Sequence, residues 1–285
     1  MRPLSIQDPV VTLQSARSFL FVPGDRPERF SKAVASGTDV VVLDLEDAVS
    51  AENKDAALQA VTAWLSGTGH ALVRIGRDED LEALTGLPGL LGVMVPKAEN
   101  PDALLRISEA VERPVIALIE SASGVLAVNS LASVPGVARL AFGELDLAAD
   151  IAAQPNQRAM LMARSLLVLA SRSQGLPGPL DGVTSKLDDD SLLNDDLHAA
   201  LELGMSGKLL IHPRQVAVTH SAFRPSDDEI TWARRVVEST KGGEAVVKVD
   251  GQMVDAPVLL RAQAILARRP ECVSTIPTSS SAGAP

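Results

Sequence analysis

Eight short apolar runs recur along the chain, separated by segments in which Ala and Leu keep helical spacing, and this alternation limits the possible folds more than any single motif. The runs are Ser18–Val22, Asp39–Leu43, Ala71–Ile75, Leu91–Val95, Val115–Ile119, Val137–Phe142, a weak one at Gly182–Thr184, and Lys208–Ile211. Val40-Val41-Val42-Leu43 is typical. Its β-branched residues follow one another without polar alternation, as in a strand of a parallel sheet covered by helices on its outer face. Ala51–Leu65, Pro101–Val111 and Gln157–Ser173 are the clearest helical segments. Eight such alternations within about 210 residues predict an α/β fold, a closed (β/α)8 TIM barrel, whose typical size is about 250 residues. An open, doubly wound sheet is the alternative.

After Arg214 the pattern changes. Asp227-Asp228-Glu229 reads as an acidic helix start before Ile230–Glu238, and Lys241-Gly242-Gly243 ends that helix. A β-like piece, Ala245–Val249, leads to a turn at Asp250-Gly251, and Ala256–Arg268 reads as a last helix with Pro257 at its start. The expected division is therefore a tail over residues 1–15, a barrel over 16–222, a mainly helical lid region over 223–270 and a Ser/Pro/Ala-rich tail over 271–285.

Composition removes several functions. A net charge of -10 and an aromatic content of 2%, with no Tyr, deprive the chain of the electrostatic attraction and stacking platforms that nucleic acids require. The one cysteine, Cys272, forms no internal disulfide, which suits a reducing compartment. Residues 1–15 lack the apolar core of a signal peptide, and no apolar run nears the roughly 20 residues of a bilayer span. The expectation is a soluble cytoplasmic protein. Gly-x-Gly-x-x-Gly, a phosphate loop and a Gly-x-Ser-x-Gly elbow are all absent from the sequence.

In a barrel, chemistry gathers where strands end. The runs deliver Pro23-Gly24-Asp25-Arg26, then Asp44, Glu46 and Asp47, then Arg74, Pro96-Lys97, Glu120-Ser121, Gly143-Glu144-Leu145-Asp146 and His212-Pro213 to the same rim. Glu120 and Asp146 offer two hard oxygens to one cation, and the scarcity of His and Cys favours Mg²⁺ over zinc. Asp44, Glu46 and Asp47 then stand around that ion as holders of its waters. Arg74 suits bidentate capture of a substrate carboxylate, or an ion pair with the Asp44/Glu46 cluster. Lys97 reads more simply as a buried counter-ion, and His212 as a strand-end structural histidine. Arg26, Arg29 and Lys32 form a basic patch that suits a phosphate-bearing ligand or merely faces solvent.

Arg17-Ser18-x-Leu20-x-Val22-Pro23-Gly24, Val42-Leu43-Asp44-Leu45-Glu46-Asp47-Ala48-Val49, Val73-Arg74 and Pro96-Lys97-Ala98-Glu99 are similar to motifs of the citrate lyase β-subunit-like family. So are Ile119-Glu120-Ser121-Ala122-Ser123-Gly124, Phe142-Gly143-x-x-Asp146-Leu147, Ile211-His212-Pro213 and Met253-Val254-Asp255. Members include citryl-, malyl- and citramalyl-coenzyme A lyases. The resemblance implies a Mg²⁺-dependent barrel enzyme that makes or breaks a carbon–carbon bond β to a thioester, with Glu120 and Asp146 as metal ligands and Arg74 binding the substrate carboxylate. It implies coenzyme A contacts around Phe21, Arg26 and Lys32, with Ile211 and His212 near the pantetheine. Asp255 corresponds to an acid/base aspartate on a C-terminal lid, contributed by a neighbouring copy in a homo-oligomer, a trimer or hexamer. (S)-Citramalyl-coenzyme A, giving acetyl-coenzyme A and pyruvate, is the expected substrate. Malyl- and citryl-thioesters, condensation followed by thioester hydrolysis, and a non-catalytic metabolite-binding subunit are the alternatives. Many relatives read Gly-x-Glu-Asp where this chain has Gly143-Glu144-Leu145-Asp146, so one acid is displaced by a position.

Overall fold

The structure is a computed structural model that describes residues 8–240 and 247–267. Contacts divide it into two compact units, one ending at Phe223 and one starting at Arg224. In the first, eight strands close a parallel barrel in sequence order, the eighth pairing back to the first. They are β1 (Ser18–Pro23), β2 (Val40–Asp44), β3 (Ala71–Arg74), β4 (Leu90–Val95), β5 (Val115–Ile119), β6 (Val137–Phe142), β7 (Leu180–Asp181) and β8 (Gly207–Leu210). Around them run α1 (Pro9–Ser15), α2 (Phe30–Ala35), α3 (Lys54–Ser66), α4 (Glu79–Leu84), α5 (Pro101–Val111) and α6 (Ala122–Ala132). The series continues with α7 (Glu144–Asp150), α8 (Gln157–Ser173), α9 (Asp190–Leu203) and α10 (Gln215–Ala222). The closed barrel is the architecture expected, and the open-sheet alternative falls away. Among the described residues no helix is long and apolar enough to cross a membrane.

Side-chain alternation along each strand sorts the core into two layers. Phe19, Val40, Val42, Leu72, Ile116, Leu118, Ala141, Leu180 and Leu209 pack together inside the barrel. Leu20, Val22, Val41, Leu43, Val73, Val93, Ala117 and Leu140 face the helices. The same parity carries Phe21, Asp44, Arg74 and Glu120 to the inner face at the C-terminal ends. Helix boundaries follow local chemistry. Asn100 Oδ1 accepts N–H bonds from Asp102 and Ala103 at 2.9 and 3.1 Å and starts α5. Asn156 does the same for α8 through Ala159.

Two expectations need correction. The seventh strand is Leu180–Asp181, two residues earlier than Gly182–Thr184. A charged residue ends it because Lys208 Nζ and Arg164 Nη2 hold the Asp181 carboxylate at 2.9 and 2.8 Å in the wall between barrel and helices. An apolar run is therefore not needed there. Residues 9–15, expected within a tail, form α1, capped by Asp8. Its Leu13 is 0% exposed and joins the inner core at the N-terminal end of the barrel. Buried Arg139, on the inner face of β6, donates to the carbonyls of Leu13, Ala16 and Gly178 and to Ser206 Oγ. Burial pushes its guanidinium down to about 9.

The second unit has α11 (Asp227–Ser239), an antiparallel hairpin of β9 (Val247–Val249) and β10 (Gln252–Val254), and α12 (Ala256–Ala267). Ser226 and Glu229 form a capping box at the start of α11. Ala233, Val236, Val249, Val254, Ala262 and Ile265 make a small core. Lys241–Gly243, Ala245, Arg268, Cys272 and the C-terminal tail lie outside the described residues.

Because α1 seals the barrel floor, Leu13→Ala is expected to lower stability by roughly 2–5 kcal/mol. Denaturant unfolding of the full chain measures this, and a loss near zero would make α1 a passive appendage.

Candidate active site

The inner-face residues at the strand ends meet one another directly. β2 and β3 run in register, with Asp44 opposite Arg74. Arg74 Nε donates to Asp44 Oδ1 at 2.7 Å and Nη2 to Oδ2 at 2.6 Å, a two-pronged ion pair. The same carboxylate accepts the backbone N–H groups of Glu46 at 2.9 Å and Ala48 at 3.0 Å, which folds the chain after β2 around it. Arg74 Nη1 lies 2.9 Å from Glu46 Oε2, and its guanidinium carbon sits 4.9 Å from the centre of the Phe21 ring. Burial disfavours the charge on Arg74, but hydrogen bonding and attraction from Asp44 and then Glu46 outweigh it and hold its pKa above the ordinary value.

Glu46 continues the network. Its Oε1 accepts from Lys97 Nζ at 2.6 Å, and the backbone N–H of Lys97 donates to Glu120 Oε1 at 2.7 Å. Glu120 is only 3% exposed. Gly143, the first residue after β6, makes room for it: a β-carbon at that position would stand 2.6 Å from Glu120 Oε2. Asp146 is solvent-exposed in the first turn of α7. Burial pushes Glu120 up to about 7. The Lys97 N–H and Arg74 oppose that shift, and the charges of Glu46 and Asp146 add to it.

A buried carboxylate with two others near it is a place where a hard divalent cation would offset negative charge. Among the described residues no three Asp, Glu, His or Cys side chains converge to enclose an ion by themselves. Magnesium does not need such a cage, because it binds through one or two carboxylates and keeps waters for exchange with substrate. Glu120 and Asp146 fit it by donor type and by the excess of negative charge around them.

The other expected residues fall at different places. Asp44 commits both oxygens to Arg74 and two backbone amides, and Asp47 is exposed. Arg26 is exposed beside Asp25, 3.8 Å away, and Lys32 is exposed on α2. Ile211 is 40% exposed after β8, and Gln215 Oε1 accepts its N–H at 3.0 Å and that of His212 at 3.3 Å. His212 Nδ1 accepts the Arg214 N–H at 3.2 Å, so its ring also shapes the turn. Asp255 belongs to the second unit, where it is half-buried ahead of α12 and its Oδ1 accepts the Val258 N–H at 3.3 Å. The roles of Gln215 and Gly143 were missed in sequence. Gly143 was visible only as part of a motif, and Gln215 gave no signal.

Known proteins resemble this chain over most of its length. The family model for HpcH/HpaI aldolase/citrate lyase matches residues 17–213. A citrate lyase subunit beta-like protein of Mycobacterium tuberculosis is 35% identical over 269 residues, covering 90% of this chain and 96% of that protein. A (3S)-malyl-CoA thioesterase of Cereibacter sphaeroides is 31% identical over 269 residues, covering 88% of this chain and 94% of that protein. Among solved structures, CitE of M. tuberculosis in complex with magnesium, acetoacetate and coenzyme A superposes with a TM-score of 0.76 at 34% identity, over 89% of this chain and 98% of that one. The chain belongs to the HpcH/HpaI aldolase/citrate lyase family.

Proposed function

We propose that the protein is a Mg²⁺-dependent acyl-coenzyme A carbon–carbon lyase that cleaves a 3-hydroxyacyl thioester carrying a carboxylate on its hydroxyl-bearing carbon. (S)-Citramalyl-coenzyme A, which yields pyruvate and acetyl-coenzyme A, is the leading substrate. The observation that carries this reading is the placement of Arg74 and the buried Glu120 together at one barrel rim. Family membership and the magnesium and coenzyme A bound by the M. tuberculosis relative support it.

Glu120 and Asp146 hold the cation, which, when bound, acidifies the substrate hydroxyl and offsets charge on the neighbouring carboxylate. Two N–H groups of Arg74, on Nε and Nη2, are engaged by Asp44, Nη1 is ion-paired with Glu46, and the N–H groups left on the two terminal nitrogens face the substrate carboxylate. Asp44 and the Phe21 ring fix the guanidinium plane, so little ordering is left for substrate to impose. Once the hydroxyl has lost its proton, the carbon–carbon bond breaks. The hydroxyl-bearing half leaves as the keto acid, and the electron pair passes to the acetyl thioester as an enolate. Asp255 protonates that enolate carbon; in condensation it removes the same proton. The exposed Arg26 and Lys32 meet the phosphates of coenzyme A, and Ile211 and His212 flank its pantetheine arm. The resemblance further assigns Asp255 to a lid from a neighbouring copy in a homo-oligomer. A second reading, condensation followed by thioester hydrolysis, is favoured by the similarity to the malyl-CoA thioesterase.

A panel of citramalyl-, malyl- and citryl-thioesters, assayed with and without Mg²⁺, separates these readings. Cleavage of one of them is expected to require Mg²⁺ and to fall roughly 100-fold or more in Asp146→Ala with the fold intact. Turnover unaffected by both changes would refute the metal assignment. The pH dependence has a defined sign. Below about 7 the cation-free fold keeps the Glu120 proton, so Mg²⁺ binding must release it, and affinity is expected to rise with pH and level off above about 7. For the cation-free fold the sign is opposite. Glu120 sits above its ordinary 4.5, so the stability tied to its protonation is present below 4.5 and is lost as pH rises through about 7. Calorimetry of Mg²⁺ binding from about pH 5 to about pH 8 measures the first effect, and a flat affinity would separate Glu120 from the cation. Asp255→Ala is expected to retain Mg²⁺ binding and lose about 10²–10⁴-fold in deuterium exchange at the acetyl carbon of acetyl-coenzyme A. If Asp255 acts across copies, mixing this variant with Asp146→Ala restores part of the activity; two variants that stay inactive together place it within one chain.

A further inference from the structure

Among the described residues, four that carry a β-carbon adopt a left-handed backbone: Lys97 at φ +45°, Glu112 at +51°, Ala152 at +53° and Asp250 at +50°. Three have ordinary reasons. Glu112 caps α5, Ala152 follows the end of α7, and Asp250 sits in the tight turn of the β9–β10 hairpin. Lys97 ends no helix and closes no hairpin. It follows Pro96 just beyond β4, at the rim where the chemistry gathers, and strain in such a place is a pointer to function.

The conformation has a specific consequence. In an extended strand successive N–H groups point to opposite neighbours. Here two successive ones point to the same side. Lys97 N–H donates to Glu120 Oε1 at 2.7 Å, and Ala98 N–H donates to the Leu118 carbonyl at 3.1 Å. The Ala98 bond ties this segment to β5, and the Lys97 N–H is thereby held against the Glu120 carboxylate. Its other oxygen is aimed past Gly143, where no side chain intervenes. The Lys97 side chain runs the other way. Its ammonium meets Glu46 Oε1 at 2.6 Å although 54% of the side chain is exposed, so one residue links the carboxylates that follow β2 and β5.

We propose that Lys97 is a positioning residue that acts through its main chain: the left-handed backbone aims its N–H at Glu120 and sets that carboxylate in place before the cation arrives. This rests on the reading of Glu120 as a cation ligand. Its test compares Mg²⁺ binding by calorimetry in full-length Lys97→Gly and Lys97→Val, with folding followed by circular dichroism. Both variants lack the ammonium, so its charge cancels from the comparison. Glycine adopts positive φ freely and keeps the N–H in place, whereas a β-branched residue is driven out of that region.

The valine variant is expected to bind Mg²⁺ about tenfold more weakly than the glycine variant at equal helical content. If the valine variant does not fold, Lys97→Ala replaces it, with a several-fold loss expected relative to glycine. Equal affinities within the folded pair would overturn the positioning role while leaving the metal reading intact. If the unaltered chain and Glu120→Gln bind Mg²⁺ alike, the metal reading fails and the proposal with it. A purely structural role would lower thermal stability without separating the Mg²⁺ affinities of the folded variants.

Discussion

Excess negative charge at the C-terminal rim is the constraint on which the site depends. Four carboxylates, Asp44, Glu46, Glu120 and Asp146, gather around two cations, Arg74 and Lys97. The pairs are unequally shared. Asp44 is satisfied by Arg74 and two amides, and Glu46 lies between Arg74 and Lys97. Glu120 is buried with one backbone N–H, repelled by Glu46 and Asp146 and attracted by Arg74. With every group ionised the rim holds two negative charges beyond what its own cations balance, which is the charge of one divalent ion. Burial is the main reason Glu120 holds its proton more tightly, and the charges of Glu46 and Asp146 add to it.

The opposite end of the barrel solves a charge problem in another way. Arg139 is buried with carbonyl oxygens and a serine hydroxyl as its partners rather than a carboxylate. Ser18 Oγ lies 2.8 Å from His220 Nε2 and accepts the Asp39 N–H at 2.8 Å, which ties α10 to the starts of β1 and β2. These contacts give Arg139 and Ser18 partners within the protein. Contacts at the N-terminal face thus hold the barrel closed, whereas in barrels of this kind chemistry gathers at the C-terminal face. Substitutions at the two ends should therefore separate stability from activity.

Much of this was legible in the sequence for a simple reason. Apolar runs that end in a charged residue reveal both a buried strand and the rim it points to. Val40-Val41-Val42-Leu43-Asp44, Leu72-Val73-Arg74 and Ile116-Ala117-Leu118-Ile119-Glu120 each carry this signal, and strict alternation then places Asp44, Arg74 and Glu120 on one inner face. β7 escaped because its polar residue is stabilised by partners from β8 and α8, distant in sequence, rather than by burial of an apolar run. α1 escaped because seven residues with one buried leucine carry too little periodicity to read. The backbone of Lys97 has no sequence signature, since left-handed residues are normally announced by Gly or Asn. Asp255 was reached through motif similarity alone.

The displaced acid in Gly143-Glu144-Leu145-Asp146 acquires a physical meaning from the same charge balance. Glu144 is half-buried, and its proton affinity is raised first by burial and then by Asp181, with Arg164 and Lys208 opposing. Its side chain lies against Gly182, where a β-carbon would come within 3.1 Å of Glu144 Cβ, so it belongs to the wall that joins β7, β8 and α8. The position at which many relatives carry glutamate is held by Leu145, which is 46% exposed. An acid there would add a third uncompensated charge beside Asp146 and Glu120. Its absence puts an exposed apolar side chain at that edge of the rim. The rim therefore differs in charge from the Gly-x-Glu-Asp pattern while Glu120 and Asp146, the expected cation ligands, are kept.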